Sequence, residues 1–505
     1  MSKAFLPGAS ATPDAVGLVD DARSWTCREL DHLTARFANG IGTLGMRVGD
    51  RIAILARNSA EWLVVYFGSM RAGAVFVPLN HHLQHDELVY ILRDSATRLL
   101  CCDAENEVRA QTAASEAGVE RVLAIDDMFD GWLDRQLDVW PAGHLGGVPM
   151  AYTSGTTGRP KGLEPAPQTR TAEQVVEDME RLAILYGYRR GGAHLVASTM
   201  DHGAPALHAL MAATMGQTLV IQRRFDAAEA LGLIERHRVT TTHMVPTQII
   251  RLVRLPQDAR DRADLSSLEA VFHGAAPCPP WAKTAAIEWL GPILIEYFGA
   301  KEGCGPFLCT SSEWLARPGT VGRAGPHIAV TVVGDDGRDL PAGEIGTLYF
   351  RRADGRAPTY RGDPVKTAAS RLPDGRFTVG DVGWLDDDGY LHLADRRADL
   401  ILTGGVNVYP AEVEAALGQH PAVEDCAVYG VPDEEWGEAV KAAVVPRAGA
   451  DIAEADLIAW LRERLAHFKC PRSIELVAEL PREEIGKLKR RVLRDAARAG
   501  RSIAR

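Results

Sequence analysis

The residues best suited to chemistry stand in one short segment, Ala151-Tyr152-Thr153-Ser154-Gly155-Thr156-Thr157-Gly158-Arg159-Pro160-Lys161-Gly162. Small residues let backbone N–H groups approach an anion, hydroxyls add hydrogen-bond donors, and lysine adds a positive charge, so this composition suits a polyphosphate. It is not a Walker A loop, which needs Gly-Lys-Ser/Thr at the start of a helix, because Lys161 lies between Pro160 and Gly162. On composition alone, a surface loop without a ligand remains the alternative.

Further polar or glycine-rich segments follow along the chain. They are Asp201-His202-Gly203, Met244-Val245-Pro246-Thr247-Gln248, His273-Gly274-Ala275-Ala276-Pro277, Glu296-Tyr297-Phe298-Gly299-Ala300-Lys301-Glu302, Thr378-Val379-Gly380-Asp381, Asp395-Arg396-Arg397-Ala398, Gly404-Gly405 and Gly486-Lys487. Each has an ordinary structural explanation when taken singly: a lone histidine is more often structural than catalytic, and a Gly-Lys pair is common.

Taken in order, these segments resemble the motifs of the adenylate-forming superfamily, which includes acyl-CoA synthetases, luciferases and nonribosomal adenylation domains. The resemblance spans roughly residues 24–495. The local sequences from His273 to Pro280 and from Glu296 to Gly303 are similar to those of bacterial fatty-acyl and bile-acid or steroid-type CoA ligases. We therefore identify the chain as a member of this superfamily, nearest to the AMP-dependent CoA ligases.

The resemblance implies a set of ATP-binding residues. The phosphate loop is assigned Thr153, Ser154, Gly155, Thr156, Thr157, Gly158 and Lys161. The adenine site is assigned the turn Gly274, Ala275, Ala276 and Pro277, with Tyr297 or Phe298 as the stacking ring and Gly299 beside it. Asp381 is implied to accept hydrogen bonds from the ribose, and Arg396 to contact the nucleotide.

The resemblance also implies catalytic residues. Lys487 lies between the carboxylate and the α-phosphate, Glu302 holds Mg²⁺, and His202 stands beside the carboxylate pocket. One glutamate is chemically sufficient, because Mg²⁺ keeps phosphate and water oxygens as its other ligands. The acyl pocket is assigned His202, Val245, Gln248 and Gly299.

Two positions differ from the family pattern. Lys301 replaces a threonine that contacts the α-phosphate; a lysine can donate to that phosphate or pair with Glu302. Ala398 occupies the usual hinge position, where the family often has Asp or Lys, and a hinge need not be polar. Gly404 and Gly405 are implied to leave room for the pantetheine arm of CoA.

Hydrophobic patterning predicts an α/β fold. Short apolar runs alternate with amphipathic helices through the first half, which indicates layered αβα architecture with largely parallel sheets. From about residue 320 the pattern becomes β-rich, and after about 398 a small α+β unit follows. We expect an N-terminal adenylation domain over 1–397, with a β-rich subdomain at about 320–397, and a mobile C-terminal lid over 398–505.

Composition excludes several classes of protein. The 505 residues include 56 Lys+Arg and 67 Asp+Glu, a formal charge of −11, which argues against a general nucleic-acid or anionic-membrane binder. The eight cysteines are scattered without zinc-type or disulfide-scaffold spacing. Neither a signal peptide nor a membrane-spanning segment is predicted, so the expected location is the cytoplasm.

We therefore expect an ATP-dependent acid–thiol ligase. It would convert a small carboxylic acid to acyl-AMP with release of pyrophosphate and then transfer the acyl group to CoA, using Mg²⁺. Two alternatives stay open: an adenylation enzyme that loads a carrier protein, and a non-catalytic acyl- or nucleotide-binding member of the fold. The oligomeric state is open, with a homodimer among the alternatives. The preferred substrate is a medium-sized, aromatic or polycyclic apolar acid.

Overall fold

Alternating strands and helices form layered sheets in the computed structural model. It describes residues 5–139, 143–153, 161–165, 167–396, 399–403, 406–433, 436–483 and 486–499, without the side chains of Asp127, Thr153, Asp395, Arg396 and Asn407. The chain divides into two compact units. The first comprises Met1–Met244, Arg254–Phe272 and Pro358–Pro364, and the second Val245–Val253, His273–Ala357 and Val365–Arg505.

The first unit contains a five-stranded parallel sheet. Its strands in spatial order are Arg121–Ala124, Thr97–Cys102, Arg51–Leu55, Val75–Pro78 and Val148–Pro149. The helices of this region are Ala60–Arg71, His85–Ser95, Glu107–Ala117 and Asp127–Leu133. The strands are continuous apolar runs because parallel sheets are covered on both faces.

A second sheet of the first unit carries parallel strands and one antiparallel strand. In spatial order they are Ala270–His273, Thr241–Met244, Ala193–Val196, Thr218–Ile221, Val16–Asp20 and the antiparallel Arg23–Thr26. The helices are Gly8–Ala11, Cys27–Thr43, Ala172–Tyr186, Gly203–Thr214, Ala227–His237 and Gln257–Arg262. The parallel strands and flanking helices confirm the predicted α/β class.

Three histidines are buried in this second sheet region. His194, His208 and His243 are each no more than 2% exposed, and His208 packs against Phe272 and the His243 ring. Burial lowers the pKa of His194 and of His243 to about 3, and it lowers the pKa of His208 well below its usual value. These imidazoles are therefore neutral at physiological pH.

Side-chain caps fix where several helices begin. The Thr26 hydroxyl accepts a hydrogen bond from the Glu29 backbone N–H while the Glu29 carboxylate accepts from the Thr26 N–H, which is a reciprocal capping box. Thr171 and Gln174 form the same arrangement. Each satisfies two backbone donors that the first helical turn leaves unpaired.

The second unit begins with mixed structure and continues into β-rich structure. Antiparallel strands Leu294–Phe298, Phe307–Thr310 and Arg323–Ala324 pair in that order. A four-stranded antiparallel sheet follows, with strands Ile328–Val333, Gly346–Arg352, Asp381–Leu385 and Leu391–Arg396. The helices here are Pro246–Val253, Pro280–Leu290, Ser311–Ala316 and Pro364–Ala369. Phe307, Phe350 and Phe377 are fully buried and form the centre of its core.

The last part of the second unit is a small α+β assembly. Its sheet has the order Val406–Val408, Ile401–Thr403, Gly437–Pro446 and Val423–Asp433, and Ser473–Leu476 runs parallel to Gly437–Pro446. The helices are Pro410–Gly418, Glu454–Arg462 and Arg490–Arg498, with a 3₁₀ turn at His467–Lys469. The domain boundary at 397/398 stays a prediction.

Within the described ranges, every helix is too short or too polar to cross a bilayer.

Candidate active site

The stem of the predicted phosphate loop is a short antiparallel hairpin. Strand Tyr152–Thr153 pairs with Lys161–Gly162, and Thr153 lies opposite Lys161. The predicted residues Ser154, Gly155, Thr156, Thr157 and Gly158 lie outside the described residues, as does the side chain of Thr153. Both ends of the loop are therefore fixed by backbone pairing.

A distant segment forms a third strand-like layer beside this stem. Leu163 forms a bridge with Tyr360, the Glu164 N–H donates to the Thr359 carbonyl at 2.9 Å, and the Arg361 N–H donates to the Gly162 carbonyl at 2.9 Å. The segment Pro358–Pro364 therefore holds the stem although it lies about two hundred residues further along the chain.

Side chains strengthen this contact. The Lys161 ammonium pairs with the Asp363 carboxylate. The Arg361 guanidinium donates to the Asp94 carbonyl at 2.7 Å and to the Glu164 carboxylate at 3.0 Å. Sequence reasoning found Lys161 but missed Asp363, because nothing in a run of surface charges marks which acid will meet which lysine.

Asp94 also accepts a hydrogen bond from the Tyr152 hydroxyl at 2.6 Å. Burial, with the Asp94 carboxylate as a second cause, raises the pKa of Tyr152. The phenol therefore stays protonated and remains a donor. Gly162 is confined here, since a Cβ would lie 3.0 Å from the Tyr152 ring and 3.1 Å from an Asp94 carboxylate oxygen.

His202 lies at the start of helix Gly203–Thr214. The Asn80 amide nitrogen is 3.3 Å from His202 Nε2, and the Asn80 amide oxygen accepts the His82 backbone N–H at 2.8 Å. Because the Asn80 oxygen accepts the His82 N–H, the NH₂ group is the part of the Asn80 amide that faces His202.

Asp201 lies between two imidazoles. Its side chain is only 1% exposed, its carboxylate oxygens are 3.8 Å from His202 Nε2 and 3.9 Å from His81 Nδ1, and among the described residues neither oxygen accepts a hydrogen bond. Loop 198–200 before it is anchored by Asn58, which donates to the Ser198 carbonyl and accepts from the Met200 N–H. Asn80, His81 and Asn58 were not identified from sequence, because each sits in an unremarkable loop.

The predicted adenine turn follows strand Ala270–His273. A Cβ at Gly274 would lie 2.6 Å from the Tyr297 carbonyl oxygen and 2.7 Å from its ring, and Ala275 has φ of +69°. Ala276 and Pro277 continue the turn. A non-glycine residue in this left-handed region is uncommon and strained, and such conformations cluster at functional sites.

The two candidate stacking rings occupy different surroundings. Tyr297 is buried against Gly274 of the turn. Phe298 instead packs 5.6 Å from the Phe307 ring and 6.3 Å from the Phe350 ring, within the β-rich core. Tyr297 is thus the ring in contact with the predicted adenine turn. Gly299 follows, and a Cβ there would lie 3.4 Å from Gly305.

Glu302 and Asp381 approach a common neighbour. Cys304 is fully buried, and burial raises the pKa of its thiol well above the usual range, with the Asp381 and Glu302 carboxylates adding to the effect. Two predicted site residues, one for ribose and one for metal, therefore lie near the same neutral thiol. Nothing in the sequence around this cysteine indicates that the two carboxylates lie near it. Lys301 is exposed.

A single glutamate fits a nucleotide-borne Mg²⁺. In the described part of the chain, no group of three or more potential protein ligands assembles. The half-buried Glu302 can supply one carboxylate oxygen, and Mg²⁺ ordinarily takes its remaining ligands from phosphate and water. The donor chemistry therefore suits this ion when a nucleotide brings it.

Lys487 stands in a tight hairpin. The Glu483 N–H donates to the Lys487 carbonyl at 2.8 Å, the Gly486 N–H to Glu483 at 2.7 Å, and the Lys489 N–H to Pro481 at 2.8 Å. Gly486 has φ of +77°, and a Cβ there would lie 2.4 Å from the Thr247 methyl carbon. Only glycine fits this approach, which puts the residue before Lys487 against the start of helix Pro246–Val253.

Val245 and Gln248 belong to that same helix start. Both are buried, and the Gln248 side-chain oxygen accepts the Val245 backbone N–H at 2.9 Å. Gln248 therefore contributes to the local fold. Its assignment to an acyl pocket, with Val245, Gly299 and His202, stays a prediction.

The predicted hinge and CoA residues fall outside the described residues. This applies to Ala398, Gly404 and Gly405, and to the side chain of Arg396, whose backbone pairs opposite Asp381. Asp399, the residue after the hinge position, accepts from Arg494 at 2.8 Å and from Arg490 at 3.5 Å. Arg490 also binds both oxygens of Glu414, at 2.8 and 2.7 Å.

A profile described as AMP-binding enzyme matches residues 7–360, and one described as AMP-binding enzyme C-terminal domain matches residues 412–487. The chain belongs to the AMP-binding enzyme family. The superfamily that its motifs indicated is thereby confirmed, and the chain is an adenylate-forming ligase of that family.

Relatives and solved structures of the family match over nearly the whole chain. A feruloyl-CoA synthase from an Amycolatopsis species is 36% identical, with 95% of each chain covered. The fatty acid–[acyl-carrier-protein] ligase ScoC of Streptomyces coeruleorubidus is 32% identical, covering 96% of this chain and 94% of its own. ATP-bound MatB from Rhodopseudomonas palustris superposes with a TM-score of 0.85 at 27% identity, covering 98% and 99%.

Proposed function

We propose that the chain is an AMP-forming carboxylate–CoA ligase. The observation that carries the proposal is the approach of Gly486 to Thr247, which puts the Lys487 hairpin beside the segment predicted to line the acyl pocket. A lysine there is suited to the adenylation step, because the reacting carboxylate and α-phosphate are both anionic.

In the proposed first step the acid's carboxylate oxygen attacks the α-phosphorus of ATP, and pyrophosphate leaves. Lys487 lowers the repulsion between the two anions, Lys161 and the phosphate loop hold the β- and γ-phosphates, and Asp381 orients the ribose. Mg²⁺ held by Glu302 would supply positive charge at the phosphate oxygens. Positioning and fixed charges are the main devices that such a reaction needs.

In the proposed second step an external thiol attacks the acyl-adenylate carbonyl, and AMP leaves with the bonding electron pair. Seven of the eight cysteines are buried and Cys278 is half-buried, so none is an obvious internal acceptor. We assign the acceptor role to CoA, with Gly404 and Gly405 beside the pantetheine arm. A rotation of residues 398–505 about the proposed hinge at Ala398 would withdraw Lys487 from the acyl-adenylate before this step. Because ATP and CoA are the substrates, we place the reaction in the cytoplasm.

A carrier protein is the second candidate acceptor, because the relative ScoC is named as an acyl-carrier-protein ligase.

For the acid we favour an aromatic acid, since the feruloyl-CoA synthase is the more similar of the two relatives compared.

The test is pyrophosphate release with ATP and Mg²⁺ across an acid panel, with and without CoA. The panel contains ferulic acid, straight-chain fatty acids of increasing length and a steroid carboxylic acid. Turnover that CoA accelerates with one acid class supports the ligase and names its substrate. Release that CoA leaves unchanged, but a phosphopantetheinylated carrier protein accelerates, contradicts the CoA assignment. No release with any acid, combined with measurable ATP binding, favours a non-catalytic member of the fold.

A further inference from the structure

Arg482 is held by a carboxylate on a neighbouring strand. Its Nε and Nη2 atoms donate to the two Asp425 carboxylate oxygens, each at 2.7 Å. Asp425 lies in strand Val423–Asp433, and both side chains are about one-third exposed. Two parallel N–H···O bonds fix the plane of the guanidinium as well as its position.

The same guanidinium contacts the backbone next to Lys487. Arg482 Nη1 donates to the Gly486 carbonyl at 2.7 Å. That carbonyl belongs to the peptide group joining Gly486 to Lys487, so its hydrogen bond fixes the plane from which the lysine side chain departs. Strand Val423–Asp433 is thereby connected to the catalytic hairpin through one arginine.

We propose that Arg482, oriented by Asp425, is a positioning residue for Lys487 in the adenylation step. The inference rests on the proposed function. A lysine ammonium stands at the end of four rotatable bonds, so its position depends on the direction in which the backbone sends it. A misplacement of about 1 Å can reduce a rate by about 100-fold.

The proposal makes the two half-reactions respond differently. Arg482→Ala is expected to lower the rate of pyrophosphate release by about 100-fold at saturating substrates. The rate of acyl-CoA formation from chemically prepared feruloyl-AMP is expected to change less than about threefold, because Lys487 is not assigned to that step. Arg482→Lys keeps the positive charge but loses the paired N–H donors of the guanidinium, so we expect an intermediate loss in the rate of pyrophosphate release. Asp425→Asn should lower pyrophosphate release in the same direction but less.

A matched control is available in the same part of the molecule. Lys469 binds both oxygens of Glu412 at 2.6 and 2.8 Å, with similar exposure, and has no contact with the hairpin among its hydrogen bonds. Lys469→Ala therefore removes a comparable ion pair and is expected to leave both half-reactions unchanged. If Lys469→Ala lowers the rate of pyrophosphate release as much as Arg482→Ala does, the Arg482 effect is general destabilisation and the proposal is overturned.

A double-variant cycle separates positioning from a purely structural role. If Arg482 acts through Lys487, adding Arg482→Ala to Lys487→Ala lowers pyrophosphate release no further, because the group being positioned is already gone. Losses that multiply in the double variant would contradict the proposal.

The proposal also has a readout that needs no turnover. Arg482→Ala is expected to speed hydrogen exchange at the amides of Gly486 and Lys489, whose hydrogen bonds close the hairpin, while strand Gly437–Pro446 keeps its protection. If the wild-type protein is inactive with every acid, the proposed function fails but this measurement still applies. Unchanged exchange at those amides, or wild-type adenylation rates in Arg482→Ala, would overturn the inference.

Discussion

The Lys161 ammonium and the Asp363 carboxylate form an ion pair although 202 positions separate them in the chain. Their contact joins the stem of the predicted phosphate loop to the segment Pro358–Pro364. An ammonium carries three N–H donors, so a carboxylate that accepts from one of them can orient the group that we propose to bind phosphate.

Removal of Asp363 is expected to weaken ATP binding. In Asp363→Ala the Lys161 side chain loses its orienting partner, and we expect KM for ATP to rise about fivefold, corresponding to roughly 1 kcal/mol for a partly exposed ion pair. Steady-state pyrophosphate release at varied ATP checks this. Glu164→Gln, a carboxylate on the same stem that contacts Arg361, is the control. An unchanged or lower KM for ATP in Asp363→Ala would contradict this role.

Lys487→Ala is expected to abolish adenylation while sparing the second half-reaction. The reason is that Lys487 is assigned to the approach of the two anions and to nothing in thiol attack. Pyrophosphate release should fall at least 100-fold, the scale of a lost electrostatic donor, with near wild-type acyl-CoA formation from preformed feruloyl-AMP. Equal losses in both assays would remove this assignment.

Two adjacent residues of the predicted adenine turn, Gly274 and Ala275, should change the free energy of unfolding in opposite directions when they are substituted. Gly274→Ala places a methyl group against Tyr297 and is expected to lower the free energy of unfolding by about 1–3 kcal/mol, the cost of overpacking. Ala275→Gly removes the strain of a non-glycine residue in the left-handed region and is expected to raise the free energy of unfolding by about 1 kcal/mol. Urea denaturation of both variants checks the pair. Changes of the same sign would show that the turn is not strained as described.

The buried histidines predict acid sensitivity. Because the folded pKa of His194 is depressed, the unfolded state binds the proton more readily, and stability present above pH 6.5 is lost as the pH falls towards the folded pKa. The wild-type free energy of unfolding should therefore decrease between pH 6.5 and 5. In His194→Gln that slope should be shallower by up to about 1.4 kcal/mol per pH unit. Urea titrations at several pH values check this, with the exposed His85→Gln as the control; equal slopes in all three proteins would refute it.

Sequence patterns predicted the elements well because burial leaves a clear signature. The short apolar runs of the first half are strands, among them Arg51–Leu55, Val75–Pro78 and Thr218–Ile221. The same periodicity could not decide between Tyr297 and Phe298, since both rings are apolar and only the neighbouring turn and core distinguish them.

The sequence does not indicate which distant residues the charged side chains contact. Motif order identified Lys161 and Lys487, but Asp363 and Arg482 are two among many surface charges until the fold brings them to those lysines. Asp201 and His81 likewise meet only because the loops that carry them follow different strands. A single sequence does not give the distance between two charged side chains in the folded protein, and that distance decides which of them form a pair.

The ion pairs of Asp399 have a mechanical consequence. Arg490 and Arg494 fasten the residue after the proposed hinge to the helix that begins three residues after Lys487. These side chains are at most about one-quarter exposed, so dissolved salt screens them weakly. For the hinge that we propose at residue 398, these ion pairs join the residue after it to the helix that follows Lys487. We therefore expect residue 399 and this helix to move together across ordinary ionic strengths.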